Sequence, residues 1–178
     1  MKFLFSLFFI IYSITASAFQ PTTWKSTVEK GKGSISIYWN GSEPFIFYDA
    51  SGKIVGIEHD VIEGFSAYLK QTQNIDLEIN WIRAKSFGNT LALIQNEKKP
   101  GFLGTSAFSI TDERKLIVDF SAPYLADIAV LISSENIPIV SVESDFKSAF
   151  SKFTAISIKG TTYEKKIKEI RKRFSMDF

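Results

Sequence analysis

The stretch Gly104–Tyr124, GTSAFSITDERKLIVDFSAPY, decides how the chain is read, because it sets one cation among hydroxyls and main-chain donors at the end of a short apolar run. Arg114 is always charged, and its planar fork of N–H donors matches two carboxylate oxygens in a way that lysine does not. Ser109 and Thr111 precede Asp112 and Glu113, an order that predicts a short helical turn. Hydroxyls there cap free amides, and acids in a first turn suit the positive end of the dipole. On spacing alone Arg114 fits two roles: an anchor for an anion, or a structural cation paired with Asp112, Glu113 or Asp119.

Upstream, Ser34–Trp39 alternates and is rich in β-formers, which predicts a first strand. Pro44 interrupts before Phe45–Phe47, and Asp49–Lys53 has the turn chemistry of a hairpin tip. From Asp60 to Lys70 the residues Val61, Ile62, Phe65, Tyr68 and Leu69 recur at helical spacing, with Asp60 as cap or first-turn acid. Ile75, Leu77, Ile79 and Trp81 alternate as a strand with one buried face. Ser86 opens a second helix carrying Phe87, Leu91 and Ile94, which ends at Lys98–Gly101. Phe102–Ala107 then reads as a short buried strand. The order strand, helix, strand, helix, strand predicts an α/β layer with a largely parallel sheet. Ligands in such sheets sit at the carboxyl ends of strands, where Trp39, Phe87 and Ala107 lie.

Downstream, Ile128–Ile132 and Thr154–Ile158 read as strands and Val142–Phe150 as a short helix. Thr162–Phe174 reads as a helix burying Tyr163, Ile167, Ile170 and Phe174, with its lysines and arginines turned outward. At the other end, Lys2, the apolar run Phe3–Ile14 and the small residues Ala16-Ser17-Ala18 form the pattern of a secretory signal peptide, so the mature chain is expected to begin at Phe19 outside the cytoplasm. Residues 19–33 read as a polar lead-in segment.

With no cysteine, an exported chain takes its stability from a hydrophobic core, and thiol catalysis, cysteine metal sites and thioether lipidation are excluded. The balance of 21 basic and 19 acidic residues gives no electrostatic case for nucleic acid as a partner. The only histidine, His59, stands beside a helix start with no Gly-x-Ser-x-Gly motif in the chain, and it reads as an exposed side chain rather than a catalytic one. One histidine and scattered carboxylates give no metal-ligand spacing, so neither a metal nor another cofactor is expected. The Lys165–Arg173 cluster suits a solvated helix face.

Ser109, Ile110, Thr111 and Arg114, followed by Asp119, Phe120, Ser121, Pro123 and Tyr124, resemble a signature of the extracytoplasmic solute-binding proteins of amino-acid import systems, bacterial solute-binding family 3. The resemblance implies a periplasmic-binding-protein-like, two-lobed α/β fold. Lobe one would cover residues 34–127, with a hinge and part of lobe two in 128–178 after the signal peptide (1–18) and the lead-in (19–33). Family members normally continue through the rest of lobe two, so the chain covers about two thirds of the usual domain.

The resemblance also implies roles. Arg114 would hold the α-carboxylate of an amino acid or related solute, and Gly160-Thr161-Thr162, before an amphipathic helix, would meet the same carboxylate from lobe two. A helix start of this kind also fits an ordinary cap. Where the family has an aromatic residue two places before Pro44, this chain has Ser42. Trp39 fits either a stacking wall or core packing, and Phe87 fits either a pocket position or the apolar face of its helix. Ser106 and Ser109 are suited to bond a ligand's ammonium or carboxylate, or to close a turn. The implied activity is non-catalytic capture of a small solute for a membrane permease of an ABC-type importer. Two alternatives use the same lobes: a sensing module of a membrane receptor, and an enzyme related to cyclohexadienyl dehydratases or joined to a lytic transglycosylase.

Overall fold

The computed structural model describes residues 19–126, 129–137 and 139–177. In chain order the elements are α1 (Trp24–Lys30), β1 (Lys32–Trp39), β2 (Phe47–Tyr48), β3 (Ile54–Val55), α2 (Ile57–Gln73), β4 (Asp76–Arg83), α3 (Phe87–Asn96), β5 (Phe102–Thr105), α4 (Asp112–Lys115), a 3₁₀ turn (Glu143–Asp145), α5 (Phe146–Phe150) and α6 (Thr162–Phe174). The signal peptide expected at 1–18 lies outside the described residues.

β1 is central in a parallel sheet of order β4–β1–β5, with Trp39 opposite Arg83 on one side and Thr105 on the other. Covered on both faces, β1 buries Ile37 and Trp39 together with Ser34 and Ser36. The predicted strand, helix, strand, helix, strand order is therefore present. β2 and β3 pair antiparallel across the Asp49–Lys53 turn, where the Asp49 carboxylate accepts from the Ser51 and Lys53 amides.

Residues 19–33 are more than a lead-in. Thr23 caps α1, Gly31 ends it in the left-handed region (φ 64°), and the Thr22 hydroxyl accepts from the Ser34 amide, tying the segment to β1. Thr and Ser supply these bonds without an apolar stripe, so periodicity does not reveal the helix. α2 begins three residues before the predicted Asp60. Of its apolar residues Leu69 is buried, whereas Val61, Phe65 and Tyr68 are exposed.

The second part holds no strand among the described residues. The predicted Thr154–Ile158 strand is irregular backbone, as are residues 129–132 of the other, whose Ile128 lies outside the described set. A strand needs a neighbouring edge to satisfy its amides; among the described residues none pairs with either segment, and Ile132 and Ile156 are exposed. The predicted helices do form, joined by a Phe146–Phe174 stack at 4.5 Å and a two-point Arg173–Glu143 pair. Of the α6 residues expected to be buried, Tyr163 is exposed and Ile167, Ile170 and Phe174 are half-buried.

Gly56 sets the entry angle of α2. Its φ is 121°, and a Cβ there would fall 2.4 Å from the Phe45 carbonyl oxygen, which accepts from the Glu58 amide. Gly56→Ala should cost about 2 kcal/mol or more, since it forces both a disfavoured φ and a displaced backbone. Urea unfolding of the variant against the parent chain measures this.

Candidate functional site

Arg114 sits in α4, the single turn predicted from Thr111-Asp112-Glu113. The Thr111 hydroxyl caps it by accepting from the Arg114 amide at 3.3 Å. The side chain turns inward and is only 8% exposed. Nη1 donates to the Ser109 carbonyl at 2.8 Å and Nη2 to the Gly160 carbonyl at 3.1 Å. The guanidinium carbon lies 5.3 Å from the ring centre of Phe87 and 5.7 Å from that of Phe108, which are themselves 4.7 Å apart. Burial pulls its pKa below the ordinary value, opposed by the charge of Glu113. Among the described residues Arg114 makes no ion pair. Asp112 pairs with Lys115 and Glu113 with Lys165, so two of the acids that a structural role invoked are engaged elsewhere.

On the other side of Arg114 is the start of α6. Gly160 is left-handed (φ 82°), and Thr161 is the N-cap, accepting from the Glu164 amide at 3.4 Å. The Glu164 carboxylate reaches back to the Gly160 amide at 2.8 Å, so the helix start already holds an acid of its own chain. Thr161 is thus a cap, and Thr162 opens the helix beside it.

The structure gathers Phe87, Ser109, Arg114 and the Gly160–Thr162 turn. It does not bring Trp39, Ser42 and Ser106 into this cluster. Trp39 is 1% exposed, its ring met edge-on by Tyr48 and covered by Arg83, so it is core and offers no stacking face. The Ser42 main chain closes a turn with Phe45 and Ile46, and the buried Ser106 hydroxyl donates to the Asn40 carbonyl. His59 is half-buried rather than exposed, stacked on Trp81 at 5.4 Å between Asp60 and Glu63. Surface grooves beside Tyr38 and Leu93, and beside Lys70 and Asp76, lie away from Arg114.

Ala107 adopts φ 50°, and its amide donates at 2.8 Å to the carboxylate of Glu58, which also accepts from the Tyr124 hydroxyl at 2.8 Å. Glu58 thereby holds the turn that presents Phe108 and the Ser109 carbonyl to Arg114. Sequence reasoning missed it, because an acid in the first turn of a helix ordinarily faces water. Its 5% exposure, with Oε2 buried and without a hydrogen-bond partner, reveals the role.

Residues 35–174 match the model of the bacterial extracellular solute-binding proteins, family 3, and the chain belongs to that family. It is 28% identical over 129 residues to the amino-acid-binding protein AabA of Dichelobacter nodosus, covering 72% of this chain and 46% of that protein. The chain thus spans about half the length of this curated relative. Among solved structures, an ancestral amino acid-binding protein, a precursor of cyclohexadienyl dehydratase, superposes with a TM-score of 0.54 at 23% identity, over 82% of this chain and 60% of that one. A polar amino acid ABC uptake transporter substrate-binding protein from Streptococcus thermophilus gives 0.41 at 24% identity, over 57% and 34%. The fold is periplasmic-binding-protein-like, and no helix among the described residues is long and apolar enough to cross a membrane.

Two measurements address the frame of the site. Glu58→Ala removes the acceptor of the Ala107 amide and should lower stability by about 1–3 kcal/mol, with Glu58→Gln, which keeps an acceptor oxygen, costing less; chemical denaturation of both variants checks the order. The Lys165 partner lowers the Glu113 pKa from 4.5 to about 2. A depressed carboxylate stabilises the fold above its unfolded pKa and loses that contribution as pH falls through the folded value. Stability supplied by Glu113 should fade between about pH 4.5 and 2, and Glu113→Gln should flatten that acid limb in a series of melts.

Proposed function

We propose that this chain captures a small carboxylate-bearing solute, an amino acid or close relative, outside the cytoplasm and delivers it to the permease of an ABC-type importer. The observation that carries the reading is Arg114: a buried guanidinium over two aromatic rings, bonded only to main-chain carbonyls, beside a helix start. A cation removed from water gains more from an anion than from neutral acceptors, by about 1.5–3 kcal/mol for each charge-assisted bond. Two such bonds supply much of the roughly 8 kcal/mol of a micromolar complex.

The proposed mechanism is hinge closure, as periplasmic binding proteins use as a class. Lobe one loads the carboxylate on Arg114 in place of the Gly160 carbonyl, and the amides at the start of α6 then close on its far side. Phe87 and Phe108 exclude water and strengthen the charge pair. A solute that touches both sides favours the closed arrangement by its differential contacts. The reading is of binding without catalysis, in keeping with the family.

Isothermal titration of the purified mature chain against an amino-acid panel, with the matching amines as controls, tests it. Binding should require the carboxylate, and Arg114→Gln should weaken it by about 30-fold, equivalent to about 2 kcal/mol. Neither heat nor a thermal shift for any compound, or equal binding of the amines, would overturn the reading.

A further inference from the structure

Between β5 and the cap of α4 the chain turns through residues 107–110, and among the described residues none of them joins a main-chain to main-chain hydrogen bond. Two side chains hold the turn instead. At its start the Ala107 amide donates to Glu58 Oε1 at 2.8 Å, and further on the Ser109 carbonyl accepts from Arg114 Nη1 at 2.8 Å. Just upstream, the Ser106 hydroxyl fixes the end of the strand by donating to the Asn40 carbonyl at 3.2 Å. Ala107 itself is left-handed at φ 50°, a conformation that costs alanine and that glycine takes freely. The bond to Glu58 offsets that cost.

Glu58 is firmly placed for this task. It lies in the first turn of α2, and its own amide donates to the Phe45 carbonyl at 2.8 Å. Its carboxylate is shielded from water, where a hydrogen bond holds its geometry more tightly, and Oε1 also accepts from the Tyr124 hydroxyl. Glu58 therefore governs where Phe108 and the Ser109 carbonyl stand, and both face the guanidinium of Arg114.

We infer that Glu58 is a positioning residue for anion capture: it sets the affinity of Arg114 by fixing the turn that orients the guanidinium. The inference rests on the proposed function and names a residue that acts through the turn rather than on the solute.

Nitrogen-15 spectra of the arginine side chains in the purified mature chain, alone and titrated with sodium acetate against sodium chloride, test it. The Arg114 Nη protons, assigned by their loss in Arg114→Gln, should be resolved and slow to exchange in the parent chain, and acetate should shift them. Glu58→Ala should speed that exchange and weaken acetate binding by about tenfold or more, whereas Glu58→Gln, which keeps an acceptor oxygen, should stay within about threefold of the parent. Adding Ala107→Gly to Glu58→Ala should recover most of the loss, because the turn then forms without its costly alanine. Should Glu58→Ala not fold, Glu58→Asp, one methylene short of the amide, carries the comparison with the same outcomes. Exchange and acetate affinity unchanged in a folded Glu58 variant, with stability alone reduced, overturn the positioning role and leave capture at Arg114 standing. A guanidinium ordered through Glu58 that responds to no carboxylate overturns the proposed function and the capture role together.

Discussion

A positive charge taken out of water with no acid paired to it among the described residues is the constraint around which the Arg114 site is arranged. Desolvating Arg114 is costly, and the structure offsets the cost by two neutral acceptors and two ring faces. Each comes from a different element. Phe87 is delivered by the Ser86-capped start of α3, Phe108 and the Ser109 carbonyl by the left-handed turn at Ala107, and the Gly160 carbonyl by the segment entering α6. Glu58 stands behind that turn, accepting from the Ala107 amide and the Tyr124 hydroxyl.

Much of the sheet and its flanking helices is legible in sequence because these elements bury one side and show it as periodicity. Ser34–Trp39 and Ile75–Trp81 alternate, and the α3 cap and the α4 turn are written in Ser86 and Thr111. What escapes are features defined by contacts distant in sequence. Glu58 has the same local signature as any first-turn acid, and its meaning comes from Ala107, 49 residues away. Trp39 fitted two roles equally, and only the rings and guanidinium around it decide for the core. The strands expected at 128–132 and 154–158 fail for a related reason, since β-branched composition describes what a strand is made of and not whether an edge exists to receive it.

Among the described residues, few polar contacts join the Arg114 turn to α6. Besides the Arg114 bond to Gly160, the Glu113–Lys165 pair joins α4 to α6 at the surface. Exposed pairs contribute little and are screened by salt. The Glu113–Lys165 part of that contact is thus weak.

The Gly160 carbonyl has a kinetic meaning as well. In the proposed capture it occupies the fork of Arg114 as a resident competitor, so the affinity of an incoming anion would be an exchange free energy rather than the full worth of its bonds. Arrival must also wait for that oxygen to withdraw. Association in that proposal is gated by a local opening and falls below the encounter limit.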